Sequence, residues 1–367
     1  MPIIRDKFGE DLKSAYVWLL VYAVFAAIIK VATFYPEWIE NQYATYWYLK
    51  ISGLLRAVFG MVPISVGDLL YGYWIILIII ILIDVLRGLI KRNLQLRDFH
   101  YASIANLKGL TLIYILFNVL WGFNYNRQGI QHQLKLEPTP YSRQELQQLS
   151  LSLVQKVNYS KSKLGSNYDY PGDTEIFNGA YLAYQYVAAE YPFLEYRNKS
   201  IKASLYGRLG NYLGFLGYFN PFSGEAQVNT TLPGFVLPFT TCHEIAHQLG
   251  YASESEASFV GYLAAKASDD PLFHYSAYLD LFLYANAEMM LKDSLLAKKN
   301  YQKLDPAVKN DIHELREFHR THSSVMQPYT RAFYDGYLRL HNQPKGINSY
   351  SESIAWLISY KRQYKTL

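Results

Sequence analysis

Nine aliphatic residues in a row, Ile75 to Ile83, constrain this chain more than any other feature. A run with no polar position cannot supply the solvent face of an amphipathic helix or a half-buried strand. With its flanks, residues 69–90, it comes close to the ~20 apolar residues a helix needs to cross a bilayer. Residues 14–35 form a second such stretch, interrupted only by Lys30, and residues 107–125 a third, around Leu110 to Phe117. A buried core helix is the competing reading, and it fits the central stretch least. These stretches explain a hydrophobic share of 51% beside only 18% charged residues.

Basic residues orient such spans, because cytoplasmic loops retain Lys and Arg. The connection between the second and third stretches holds Arg87, Lys91, Arg92, Arg97 and Lys108 against Asp98. It is expected in the cytoplasm, and Arg5, Lys7 and Lys13 put the N-terminus on the same side. Three crossings then leave everything after about residue 125 outside the cytoplasm. Trp121 and Tyr125 suit an aromatic belt at the outer end of the third span. The first stretch is expected to be a retained anchor, since it is long, preceded by Asp6, Glu10 and Asp11, and followed by no small-residue cleavage site. The segment Tyr43 to Gly67 reads either as an amphipathic helix on the outer face or as a lip over a site beyond it. The formal charge of +5 comes largely from the cytoplasmic connection. No nucleic-acid motif accompanies it, so no nucleic-acid partner is expected.

The chemistry is concentrated in Thr241-Cys242-His243-Glu244-Ile245-Ala246-His247-Gln248-Leu249-Gly250. Histidines four apart on a helix stack on one face, about 5–6 Å apart at Cβ, and can share one metal ion. Glu244 stands where it can reach a metal-bound water without being a ligand, the place of a general base. The alternative is a pair of satisfied histidines on a core helix. Apolar flanks such as Phe235, Leu237, Ile245 and Leu249 support the helix, and Gly250 is a natural stop. Cys242 is the single cysteine, which excludes an intrachain disulfide. On a helix it points about 100° away from His243 and is read as a packing residue.

A catalytic Zn2+ needs a third protein ligand. The position six residues past His247 is Ser253, which cannot serve. The next segment reads as the start of a helix carrying two glutamates. Glu256 stands three residues after Ser253, where a capping-box glutamate folds back on the N-cap amide. Glu254 is free of that duty and is taken as the third ligand, with Glu256 as its competitor. The stretch Glu254-x-x-Ala257-Ser258 also resembles the Glu-x-x-Ala-Asn/Asp stretch that carries the third ligand in several glutamate zincins.

Three regions follow: a membrane anchor over 1–125, a linker over 126–140, and an extracytoplasmic domain over 141–367. Ser142-Arg143-Gln144-Glu145 is a capping box opening a helix, a second helix runs from about Thr174 to Ala189, and later helices are expected over 273–298, 305–341 with a break near Gln327-Pro328, and 350–363 behind the box Ser349 to Glu352. Residues 206–231 are rich in glycine and aromatics and hold the strand candidates. Residues 224–231 are read as an exposed edge that a peptide substrate could extend, against an ordinary aromatic-packed hairpin. The fold class expected is mainly α: transmembrane helices, then a zincin-like α+β metallopeptidase domain with a small edge sheet.

The motif His243 to Gly250, with Glu254-x-Glu256-Ala257 behind it and Asn220-Pro221-Phe222-Ser223-Gly224-Glu225-Ala226 before it, resembles the bacterial membrane-protein family known as domain of unknown function 3810. The resemblance extends over most of the chain, the membrane segments included. It implies a multi-pass protein of the bacterial cell (inner) membrane with a zincin-like domain, and it supplies no substrate. The function expected is a membrane-anchored zinc metallopeptidase with Glu244 as general base, acting on a peptide or protein substrate in the cell envelope. A non-catalytic envelope-binding protein with a zinc site and a zinc hydrolase of a non-peptide substrate are the alternatives. A structural zinc would need a fourth protein ligand, and none is evident. Tyr329, Arg331, Tyr334, His319 and His322 are candidate oxyanion donors that the sequence does not rank.

Overall fold

The computed structural model describes residues 12–90, 96–136, 139–165, 168–341, 343–344, 346 and 352–367. Arg5, Lys7, Lys91 and Arg92, on which part of the orientation reading rests, lie outside these residues. So do Ser349 to Ser351 of the last capping box.

The chain is mainly helical. It opens with α1 (Leu12–Ala32), a π-helical segment (Ile39–Trp47) running into α2 (Tyr48–Phe59), then α3 (Val66–Ile90), α4 (Leu96–Leu120) and the short α5 (Gly129–Leu134). Next come α6 (Arg143–Leu164), α7 (Asp173–Glu190), β1 (Ile201–Ala203), α8 (Gly207–Leu213), β2 (Gly217–Asn220) and β3 (Glu225–Val228). The rest is helical: α9 (Leu237–Gln248), α10 (Glu254–Ala267), α11 (Pro271–Lys292), α12 (Ser294–Gln302), α13 (Pro306–Thr321), α14 (Gln327–Leu340) and α15 (Glu352–Tyr364).

Among the described residues three helices are long and apolar enough to cross a membrane, over Lys13–Ala32, Val66–Ile90 and Phe99–Leu120. Ile75 to Ile83 are all exposed at the surface of α3, as lipid-facing side chains must be. The third helix starts earlier than residue 107 and ends at Leu120. Trp121 and Tyr125 do not form an outward belt. Trp121 is buried against Phe219 at 4.5 Å between ring centroids, and Tyr125 is hydrogen-bonded to Tyr337 at 3.0 Å.

Local signals set many helix ends. Ser142 and Glu145 form the reciprocal capping box that starts α6. Asp293 caps α12 by accepting from Leu296 N at 3.1 Å, which divides the single helix expected over 273–298 into α11 and α12. Leu146, Val157, Tyr184, Ile245, Phe259, Leu281 and Leu357 belong to one core joining α6, α7, α9, α10, α11 and α15. A smaller cluster of Ile29, Ile39, Tyr43, Tyr48, Trp121, Phe123 and Ala252 ties the ends of α1 and α4 to the turn after α9.

The sheet has the order β1-β3-β2. β1 runs parallel to β3 with Ile201 opposite Ala226, and β2 antiparallel with Gly217 opposite Val228. The expectation of an edge at 224–231 is therefore corrected: β3 is paired on both sides and wholly buried. Its polar Glu225 and Gln227 do not face water. Glu225 accepts from Val66 N at 3.1 Å and Gly67 N at 2.6 Å, the first amides of α3. A buried carboxylate at a helix N-terminus satisfies otherwise orphaned donors and complements the helix dipole.

Candidate metal centre

Helix α9 carries His243, Glu244 and His247, and it ends where Gly250 turns the chain with φ at +91°. That conformation is cheap only for glycine. The turn is short enough to lay the first residue of α10, Glu254, across the histidine face. His243 Nε2 lies 3.1 Å from Glu254 Oε2 and 3.1 Å from His247 Nε2, and His247 Nε2 lies 3.7 Å from the same carboxylate oxygen. A tetrahedral ion with bonds of ~2.0–2.1 Å has donor–donor edges of about 3.3–3.4 Å. The three donors fit that cage.

The outer atoms of these ligands are held. His247 Nδ1 donates to the carbonyl oxygen of Tyr251 at 2.8 Å, which leaves the Nε2 lone pair toward the cluster in the neutral ring. His243 Nδ1 is 3.2 Å from Ser258 Oγ, and the Tyr334 hydroxyl donates to Glu254 Oε1. Such second contacts orient metal ligands and fix their tautomers. Ser258 stands one helical turn after Glu254, so this contact was open to inference from spacing; the Tyr251 carbonyl left no signal.

Charge in the cluster suits a cation. Burial works against charging His247, yet the Glu254 carboxylate lifts its pKa to about 9. Burial likewise opposes ionising Glu254, and the two histidines outweigh it, holding the carboxyl well below its ordinary range. His243 is lowered, mainly by burial. A buried carboxylate thus shares one positive charge with its neighbours, and a divalent ion can replace that proton.

Glu244 lies beside the cluster and is buried. Burial pushes its pKa up to about 8, and its Oε2 has no hydrogen-bond partner among the described residues. Its neighbour is the partly exposed edge strand β2: a Cβ on Gly217 would stand 2.6 Å from Glu244 Oε1. Only glycine lets the strand approach so closely. This residue was missed in the sequence, because nothing local to Gly217 points to α9.

Glu256 is placed elsewhere, and the capping box proposed for it is not formed. Ser253 makes no side-chain cap. Glu256 instead accepts from Ile130 N at 2.8 Å at the start of α5, and burial raises its pKa to about 7. Of the five oxyanion candidates, Tyr334 reaches the cluster. Tyr329 is exposed, and His322 packs on Phe318 and Tyr212. Cys242 is fully buried in the core.

The C-terminal end of α9 is held by residues from the N-terminal third of the chain. Tyr48 donates to the Gln248 carbonyl at 3.1 Å, Arg56 Nη1 to the same carbonyl at 2.8 Å, and Arg127 to the Gly250 carbonyl at 3.2 Å. Arg127 is itself clamped by buried Glu40 at 2.7 Å. Segment 39–59 therefore packs directly behind the helix that carries His243 and His247. Cationic donors at the last carbonyls complement the helix dipole.

A family model described as protein of unknown function, DUF3810, matches residues 43–358. Comparison with curated proteins and with solved structures gives no match.

Proposed function

The chain belongs to the DUF3810 family, and we propose that it is a membrane-anchored zinc metallopeptidase of zincin type. Its substrate would be a peptide or protein of the cell envelope, met on the extracytoplasmic side. The observation that carries this reading is the convergence of His243, His247 and Glu254 on one point, with the unpartnered Glu244 carboxylate oxygen beside it. Three protein ligands leave a tetrahedral ion one open position, as catalysis requires and a closed structural site does not.

When bound, zinc supplies a Lewis acid that lowers the pKa of a coordinated water toward ~7 and polarises a carbonyl. His243, His247 and Glu254 would hold the ion, and Tyr251, Ser258 and Tyr334 keep those side chains in position. Glu244 would take a proton from the attacking water on Oε2 and deliver it to the leaving amine. β2 has β3 on one side only, so its free edge can take an extended peptide as an added strand.

The test is hydrolysis by the full-length protein in lipid vesicles. A denatured envelope-protein mixture is incubated with wild type and with Glu244→Gln, and new peptide N-termini are identified by mass spectrometry. Cleavages made by wild type and absent with Glu244→Gln are expected. Identical N-termini from both proteins would refute peptidase activity.

A further inference from the structure

Helix α14 has three faces. Tyr334, Tyr337 and His341, just past its end, turn inward, where Tyr334 meets Glu254 and Tyr337 meets Tyr125. Arg331, Asp335 and Arg339 are polar, with Arg339 Nε paired to Asp335 at 2.6 Å. At about 100° per residue the third face collects Met326, Tyr329, Phe333 and Leu340 on one stripe. These four are exposed at 56%, 68%, 78% and 83%. Gly336 lies on the same stripe, with open space where a Cβ would be. A soluble surface helix puts its apolar stripe inward, and this one presents it outward.

Both ends of α14 are tied to membrane-crossing helices. At the C-terminal end the His341 ring meets Phe117 of α4 at 5.7 Å between centroids. At the other end Ser324 donates to the Tyr212 carbonyl at 2.6 Å and Gln327 to the Asn211 carbonyl at 3.3 Å, both on α8. The turn that begins α8 is bound in turn to the first turn of α3: Leu205 N donates to Asp68 Oδ2 at 2.7 Å and Tyr206 Oη to the Asp68 carbonyl at 2.9 Å. α14 thus bridges the ends of two spans, and its own apolar stripe is exposed as their side chains are.

We propose that α14 is an interfacial helix whose stripe of Met326, Tyr329, Phe333 and Leu340 lies in the lipid surface. Arg339 borders the stripe at about 100° from its centre, where a long basic side chain can reach phosphate headgroups. One consequence concerns the metal centre: the helix that brings Tyr334 to Glu254 rests on lipid, so the cluster lies at the membrane surface.

The inference is tested without metal or activity. Cys242 is fully buried, so a cysteine introduced at the surface of the full-length chain is the reactive one. Phe333→Cys and Leu340→Cys are each labelled with a small fluorophore in phosphatidylcholine–phosphatidylglycerol vesicles, with Ile79→Cys and Tyr159→Cys as lipid and water references. Lipids spin-labelled near the headgroup should quench the labels at 333 and 340 several-fold more than the label at 159. Iodide should quench them several-fold less. Iodide quenching equal to that at 159 would overturn the proposal. So would protection from both quenchers, which would mean that protein covers the stripe. Two independent positions guard against one variant failing to fold.

Discussion

Trp121, the first residue past α4, sets its ring edge-on to His247, with centroids 6.1 Å apart. A helix long and apolar enough to cross a membrane thus ends against a candidate metal ligand. The same indole meets Phe219 on edge strand β2 and Tyr48 at the start of α2. Anchor and candidate site are therefore one packed unit, and disturbing either should be felt in the other.

Arg56 is nearly fully buried and donates to Gln248 O, Arg197 O and Ser52 Oγ. Arg56→Met leaves the last carbonyls of α9 short of donors and should lower unfolding free energy by about 2–4 kcal/mol. Tyr48→Phe should cost only about 1 kcal/mol. Thermal unfolding in detergent ranks the two, and equal, negligible losses would separate segment 39–59 from the stability of the site.

Glu254 and Glu256 should part cleanly. Glu254→Ala removes a direct ligand and should weaken zinc binding by at least ~100-fold. Glu254→Asp, one methylene shorter, should weaken it less. Glu256→Ala should keep the metal and lose about 1 kcal/mol of stability, because its carboxylate serves the start of α5. Zinc loss in Glu256→Ala would reverse the assignment.

Gly217→Ala probes the contact between β2 and Glu244. The added Cβ, 2.6 Å from Glu244 Oε1 and 2.9 Å from Gln227 O, must displace the base or the strand. Turnover should fall about 10–100-fold while zinc content stays at the wild-type level. Unchanged turnover would remove β2 from the mechanism.

Stability should fall with rising pH without metal, and bound zinc should largely cancel that fall. In the metal-free protein the His247 pKa is raised to about 9. Its contribution is complete below the unfolded value of ~6.5 and is lost as pH climbs to 9. Glu244, raised to about 8 by burial, acts in the same direction, because ionising it in place is unfavourable. The metal-free protein should therefore lose stability from pH 6.5 to 9. Zinc must displace the His247 proton, so its apparent affinity should rise about tenfold per pH unit over that range. Melting curves with and without zinc at pH 6.5, 7.5 and 8.5 check both slopes.

Much of this architecture could be read from local pattern. The run Ile75 to Ile83 admits little but a membrane helix, and the four-residue spacing of His243 and His247 fixes their shared face. The Gly250 turn and the position of Glu254 follow from the same short segment. What escaped depends on contacts far along the chain. Glu256 caps α5, 126 positions earlier, so the nearby Ser253 was the wrong partner to expect. Residues 224–231 carry strand character, but whether a strand is edge or centre depends on its neighbours; β1 and β2 enclose β3 from either side. Trp121 and Tyr125 have the composition of an interfacial belt, yet they are drawn inward by Phe219, His247 and Tyr337.

The most direct measurement is zinc content per chain in wild type, His247→Ala and Glu244→Gln, purified side by side and assayed by elemental mass spectrometry. About one zinc is expected in wild type and in Glu244→Gln, and essentially none in His247→Ala. A metal-free wild type that cannot be loaded, or a Glu244→Gln variant as empty as His247→Ala, would contradict a three-ligand zinc site with Glu244 standing beside it as the base.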